Sequence, residues 1–399
     1  MAATATKRRP RKVHEVGKDG VVVSKANKLN KIVAQLQDKF GEEAAEMLAS
    51  SGSISTVTNW ISTQSLLLDQ AIGRPGIPVG RVSLIVGATS VGKTTLTYHI
   101  MAETQRRGGI AIYLDGEAAA LDKDRARQIG LDPEEVVVVS PDNLDEAIME
   151  IEQVIDMVRA EMPDDLVVII LDSVAGLATA EELGVDVSSR QVGSHARLMG
   201  KAMRRLAQKI SKHQIALILI NQYREKVGVM FGPNKTMIAE HACRFYSSLV
   251  LELEPGGMIT KGEGAEKQNL GITTNVYVQK NKVAKPFNRT KLRIMFENGI
   301  DQPREMFEIG VKSGIIIQKG SWYMFHDDDK SRREQDVLDI LATPGCKYAK
   351  EIIETLQVTP AYLEDTLIMG LANAPALDEY ETETEQPESE DTVPDTEAT

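Results

Sequence analysis

Gly87-Ala88-Thr89-Ser90-Val91-Gly92-Lys93-Thr94 carries the spacing G-x-x-x-x-G-K-[ST]. Glycines in such a turn let the backbone fold around an anion. Amide N–H groups and the start of the next helix then face phosphate oxygens. Lys93 would hold the β and γ phosphates of a nucleoside triphosphate, and the Thr94 hydroxyl would ligate Mg²⁺. The motif needs a strand before it and a helix after it. Here an apolar run at 81–86 precedes it and a helical pattern opens at Lys93. The alternative, a chance glycine turn, requires neither.

A second carboxylate candidate ends the apolar run 166–171. Asp172 there would reach Mg²⁺ through water, although strands often end in Asp and the residue gains meaning only beside the phosphate loop. Hydrolysis also needs a group that orients the attacking water. Glu117 follows the strand pattern 109–114 and should share the phosphate loop's sheet edge, which makes it the general-base candidate. Asp115 competes with it, and a plain surface glutamate is the other reading. Gln222, at the end of the pattern 215–221, would contact the γ-phosphate. Beyond it, Arg224, Lys226, Phe231, Lys235 and Arg244 surround Gly228, Gly232 and Pro233. A basic, glycine-bearing stretch with one aromatic suits a loop that grips single-stranded DNA by its phosphates. Composition alone favours an ordinary solvated loop.

These residues need a scaffold. From 80 to about 300, short apolar runs alternate with helical patterns. Strands are expected at 81–86, 109–114, 136–140, 166–172, 215–221, 249–254 and 274–279, and helices from 93 and over 196–212. Asn143 with Glu146 three residues on resembles a capping box. The helix it starts has the apolar face Leu144, Ala147, Ile148, Ile151, Ile155 and Val158. This alternation predicts an α/β core with a mostly parallel, twisted sheet covered on both faces. Residues 305–376 read as a small α+β module. At the front, Leu29, Ile32, Val33, Leu36 and Phe40 recur at helical steps within 25–50, with Gly41 as a stop. Such a helix packs on its own core or on a neighbouring subunit.

Composition narrows the classes. The chain has 399 residues, 42% hydrophobic and 26% charged, ordinary for a globular protein. Two cysteines and six scattered histidines argue against a disulfide framework and a zinc site. No apolar run approaches a membrane span, and no signal-peptide core follows the basic start, so a cytoplasmic protein is expected. The net charge of −12 is uneven. Residues 377–399 hold ten acidic and no basic residues; without them 46 basic face 48 acidic residues. Residues 1–24 read as a basic arm and 377–399 as a solvated acidic tail. The domain reading is therefore 1–24 arm, 25–60 helix and linker, 61–304 core, 305–376 module and 377–399 tail.

Over about 25–356 the chain resembles the RecA-family recombinases in their bacterial and phage branch. The matching stretches include Ile61-Ser62-Thr63-Gln64-Ser65-Leu66, Leu114-Asp115-Gly116-Glu117, Asp172-Ser173-Val174-Ala175 and Ala202-Met203-Arg204-Arg205-Leu206. The most specific are Ile220 to Gly232 and Lys280-Asn281-Lys282-Val283-Ala284-Lys285-Pro286-Phe287. The resemblance implies a RecA-like ATPase core and a helical filament on DNA, with ATP and Mg²⁺ between neighbouring subunits. It implies that Gly87 to Thr95 hold ATP, with Asp122 and Arg125 at the nucleoside. Thr94 and Asp172 would serve the metal. Glu117 would be the base, Gln222 the γ-phosphate sensor, and Lys280 and Lys282 would reach the neighbour's γ-phosphate as arginine fingers do. Residues 182–197, with Val192, would form one DNA-binding loop, with Arg197 and Arg204 at and just beyond its end, and 222–244 the other. The 25–40 helix would dock on the next subunit, and 305–376 would help capture duplex DNA.

The chain departs from the family at three places. Arg125 stands where the family has a tyrosine near adenine. Ala239 and Glu240 replace a glycine pair, and Val192 replaces a methionine. Together with the added arm and tail these suggest a divergent recombinase of bacterial or phage origin. Single-strand-binding and loading proteins are further candidate partners. A ring helicase on the same core and a non-hydrolysing ATP clamp are the competing classes. Filaments against rings, and phosphate release with and without DNA, separate them.

Overall fold

The structure, a computed structural model, describes residues 25–41, 45, 56–117, 121–184, 193–225, 235–262, 266–356 and 381–382. The chain divides into two compact units, Met1–Thr58 and Asn59–Thr399. The described part of the first is chiefly α1 (Lys25–Phe40), which stops at Gly41 as expected. Gly41 adopts φ +101°, a conformation side-chain-bearing residues avoid. Leu29, Ile32, Leu36 and Phe40, on one helical stripe, are exposed.

In the second unit, β1 (Trp60–Ile61) and β2 (Ile77–Pro78) pair around α2 (Leu66–Ile72). The core then runs β3 (Val82–Gly87), α3 (Lys93–Arg106), β4 (Ile110–Asp115), α4 (Lys123–Ile129), β5 (Val136–Val139), α5 (Leu144–Glu161), β6 (Val167–Asp172), α6 (Ala180–Leu183) and α7 (Ser194–Lys212). It continues through β7 (Ala216–Glu225), β8 (Lys235–Met237), α8 (Glu240–Tyr246), β9 (Leu249–Lys261), β10 (Gln268–Asn281), β11 (Arg289–Met295) and β12 (Gly299–Ile300). The main sheet has the order β12-β11-β10-β9-β3-β7-β6-β4-β5. It is parallel from β9 to β5 and antiparallel from β9 to β12.

Alternation along the strands sends side chains to two cores. Ile85, Tyr113 and Ile170 join Leu96 and Ile100 of α3 on one face. Leu84, Val86, Ile112 and Leu171 join Ile148 and Ile151 of α5 and Met203 and Leu206 of α7 on the other. Each such side chain withdrawn from water contributes about 1.5–3 kcal/mol, so the sheet is clamped from both sides.

Register sets the working edge. Asp115 lies opposite Asp172, and Gly87 opposite Gln222. The C-terminal ends of β3, β4, β6 and β7 therefore line up, and the loops leaving them converge.

The structure alters several sequence expectations. β7 does not end at Asn221 but continues to Glu225, pairing with β8, so Gln222 sits within a strand. β9 and β10 are far longer than 249–254 and 274–279. Their outer halves form a ribbon with register shifts; Pro255-Gly256-Gly257 and the exposure of 254–258 hide it from an alternation search. The α5 box is open: Asn143 Oδ1 accepts from Glu146 N (2.9 Å), but Glu146 Oε2 accepts from Asp142 N (3.1 Å), one residue upstream of the cap.

The C-terminal module begins at α9 (Gln302–Ser313), earlier than residue 305. It adds β13 (Ile316–Lys319), β14 (Trp322–Phe325), α10 (Glu334–Ala342) and α11 (Lys347–Glu354) around a core that Leu66 of α2 also enters. It is tied to the main core by Glu305, whose carboxyl accepts from Ser65 Oγ (2.6 Å) and Leu67 N (3.3 Å). Against the expectation of a wholly solvated tail, β15 (Glu381–Thr382) pairs with Thr260 and Ile259 of β9. The basic arm at 1–24 and the rest of the tail lie outside the described residues, as do 357–376 of the module. Among the described residues no helix is long and apolar enough to cross a membrane.

Candidate active site

The loop 87–92 wraps the start of α3. Gly92 precedes Lys93 with φ +82°, and a Cβ there would stand 2.3 Å from Ile294 Cδ1, so only glycine fits. Lys93 is buried, and its Nζ donates to Ala88 O (2.5 Å) across the loop. Burial lowers the pKa of Lys93, while Asp172 and Glu117 pull it back up.

Thr94 Oγ1 donates to Asp172 Oδ2 (2.8 Å), and Tyr113 OH donates to the same oxygen (2.8 Å). Asp172 is buried, which raises its pKa; the two hydroxyls, and then Lys93, favour the charged form. Glu117 Oε1 accepts from Ser173 Oγ (2.6 Å) and from Gln222 Nε2 (2.5 Å). Asp115, the rival base candidate, is occupied by its own loop, its Oδ1 accepting from Glu117 N (3.0 Å). The backbone thus turns Asp115 into the support of Glu117.

Lys93, Thr94, Glu117, Asp172 and Gln222 line one cleft of about 450 Å³. At its other end stand Ile272 and Ile294, a cross-strand pair of β10 and β11, with Phe296 and Arg125. Sequence reading missed this apolar end, because strand isoleucines carry no motif and only register brings them to the loop. Arg125 bridges the rim, donating to Phe296 O and to Thr95 Oγ1 (3.2 Å). Asp122 caps α4, its side chain accepting from Asp124 N and Arg125 N. Ala88 packs against the apolar core beneath the loop, and Thr89 and Ser90 line the cleft. Val91 is buried.

The residues suit a nucleotide with a divalent cation. A glycine turn aims at a helix N-terminus, a buried ammonium stands beside it, and two oxygen donors from Thr94 and Asp172 sit in contact. Hard cations take such oxygens. The apolar end would receive a flat base.

Lys280 and Lys282 do not line this cleft. Lys280 Nζ donates to the carbonyls of Arg244 and Phe245 (2.5 and 2.9 Å) at the end of α8, and burial with the nearby Lys282 lowers its pKa to about 8. Lys282 is exposed, its N–H donating to Ser248 O.

Of the DNA-binding candidates, Val192, Lys226 and Phe231 lie outside the described residues. Arg197 pairs with both oxygens of Glu181 (2.9 Å each), Lys235 with Glu254 (3.0 Å), and Arg244 with Glu240 (3.0 Å). Arg204 donates to Tyr246 OH (3.4 Å) and Arg224 to Ala175 O (3.3 Å). Ala239 has φ +51°, a left-handed conformation at the position expected of a family glycine. Glu240, rather than facing out alone, also accepts from Thr236 Oγ1 (3.2 Å).

Comparison with known proteins follows the same lines. The family model of the RecA N-terminal domain matches residues 27–301. A Protein RecA of Ruegeria pomeroyi is 38% identical over 310 residues, 76% of this chain and 84% of its own. The Aquifex aeolicus Protein RecA is 37% identical over 313 residues, 78% and 87% of the two chains. That of Legionella pneumophila is 37% identical over 315 residues, 79% and 87%. With the phosphate loop, the strand-end carboxylates and the sheet in place, the chain belongs to the RecA family of DNA-dependent ATPases and recombinases.

Proposed function

We propose that hydrolysis is carried out by Glu117 and gated by Gln222 within the family's reaction, the ATP-dependent pairing and exchange of homologous DNA strands by a helical filament. Lys93 and the loop amides bind the β and γ phosphates. Thr94 and Asp172 would hold Mg²⁺, which would neutralise charge on the phosphates. Glu117 orients the attacking water and takes its proton. The observation that carries this reading is the shared oxygen of Glu117, which receives both Ser173 and Gln222 beside the phosphate loop. Gln222 leads directly into 222–244, so a side chain that exchanges Glu117 for a γ-phosphate would signal to the DNA-binding segment.

Lys280 and Lys282 serve the nucleotide of the adjacent subunit. Their separation from their own cleft supports this. Arg197, Arg204, Arg224, Lys235 and Arg244, with Val192, Lys226 and Phe231, meet DNA. Carboxylate partners at Arg197, Lys235 and Arg244 give way to phosphate on binding. Asp122, Thr95 and Arg125 flank the nucleoside. The α1 helix serves assembly, the C-terminal module duplex capture, and single-strand-binding and loading proteins are further partners. Two free cysteines support a reducing cytoplasm, in a bacterium or a phage-infected cell.

The test is Glu117→Gln. It should bind ATP and DNA normally and hydrolyse at least about 10²-fold more slowly. Normal hydrolysis would remove Glu117 from the chemistry.

A further inference from the structure

We infer that Tyr113 is a positioning residue for the metal site, holding the Asp172 carboxylate in the orientation that receives the hydrated cation; this rests on the reading of Thr94 and Asp172 as the Mg²⁺ residues.

Tyr113 lies in the middle of β4, fully buried, on the sheet face covered by α3. Its ring belongs to the core, and by alternation it reads as core alone. Its hydroxyl does something else. It reaches along the sheet to the last residue of β6 and donates to Asp172 Oδ2 at 2.8 Å. Thr94 Oγ1 donates to that same oxygen from α3, also at 2.8 Å. One carboxylate oxygen is therefore held by donors from two elements, a neighbouring strand and the phosphate-loop helix.

The terminal torsion of an aspartate is broad and close to two-fold, so the chain itself sets no orientation for the carboxylate. With Oδ2 pinned from two sides, the plane is set and Oδ1 is left for a water in a cation's shell. Thr94 can donate its proton to Asp172 while its own lone pairs face the cation. Its position then depends on the occupant. Tyr113 has no such second duty. Tyr113 is fully buried and does not line the cleft, so an occupant does not compete for its hydroxyl. It is the fixed half of the clamp.

Register explains why Tyr113 can do this. Asp115 lies opposite Asp172, so Tyr113 is two residues back on the same face of the adjacent strand. A side chain of that length, leaning along the strand, spans the offset; phenylalanine would fill the same space without the bond.

Partners that orient metal-holding side chains typically change metal affinity 10–100-fold when removed. Asp172 acts through water, so the lower end applies. The experiment uses the full chain and a fluorescent ADP analogue titrated in Mg²⁺ and in EDTA. Wild type should bind more tightly with Mg²⁺. Tyr113→Phe should match wild type in EDTA and need about tenfold more Mg²⁺ for half-maximal tightening. Tyr113→Met, a second variant without the hydroxyl, should give the same split. In an Asp172→Asn background, Tyr113→Phe should add nothing.

Equal Mg²⁺ requirements in wild type and both variants would overturn the inference. A parallel loss in EDTA and Mg²⁺ would also overturn it, by showing a structural role only. A wild type with no Mg²⁺ effect would instead overturn the metal reading on which it rests.

Discussion

Gln222 Nε2 stands 2.5 Å from Glu117 Oε1, joining β7 to the loop after β4 across the intervening β6. The two residues are 105 positions apart in sequence. One belongs to the proposed hydrolytic centre, and the other opens the segment proposed to meet DNA. A hydrogen bond between them restrains Glu117 while Gln222 is engaged with it. Gln222→Ala should therefore uncouple the two activities. ATP binding is expected to persist, and the stimulation of hydrolysis by single-stranded DNA to disappear. Steady-state phosphate release with and without DNA checks this; full stimulation in the variant would remove Gln222 from the signal.

Catalysis shared between subunits makes a separate forecast. Lys282→Ala should bind ATP yet hydrolyse it poorly, because the phosphate it is proposed to serve lies in the next subunit. Mixed with Glu117→Gln, it should recover part of the activity, since one type of mixed interface keeps both good residues. Hydrolysis measured across mixing ratios should pass through a maximum. A strictly additive line would place Lys282 outside the reaction.

Salt dependence probes the DNA surface. Arg224 is exposed and hydrogen-bonded only weakly, at 3.3 Å, to Ala175 O. A phosphate contact there would release a counterion. Arg224→Ala should then flatten the slope of log affinity against log salt by about one unit. Fluorescence anisotropy with a labelled oligonucleotide at four salt concentrations measures it, and an unchanged slope would take Arg224 off the DNA.

Stability should fall with rising pH across the module junction. Burial raises Glu305 from 4.5 to about 8 and Asp69 from 3.8 to about 7. Each is therefore protonated in the folded chain where the unfolded chain has already lost its proton. Their stabilising contribution is complete below the unfolded values and is lost as pH climbs to 7 or 8. His99 acts oppositely. Burial depresses it from 6.5 to about 3, so its contribution is lost as pH falls below 6.5. Glu305→Gln, neutral at every pH, should flatten the decline in melting temperature between pH 5 and 8. An identical decline in the variant would show that Glu305 does not titrate there.

Much of the site was legible because it is local. The phosphate loop occupies eight consecutive residues between a strand and a helix, and Asp172 ends an uninterrupted apolar run. What escaped is non-local or disguised. Ile272, Ile294 and Phe296 enter the cleft only through the pairing of β10 with β11. Tyr113 shares its alternation with ordinary core residues, and nothing in sequence reveals where its hydroxyl ends. The outer ribbon of β9 and β10 is exposed and interrupted by Pro255 and two glycines, so it lacks the apolar period that marks buried strands. Helices α5 and α7, with one buried stripe each, were read nearly to their ends.

The most direct measurement is strand exchange with the purified chain, a circular single strand and a homologous linear duplex. Joint molecules should form with ATP and Mg²⁺, fail without nucleotide, and fail with Lys93→Ala. Hydrolysis of ATP in the presence of DNA without any joint molecules, under conditions where a relative's recombinase exchanges the same substrates, would contradict the assignment of this chain as a recombinase.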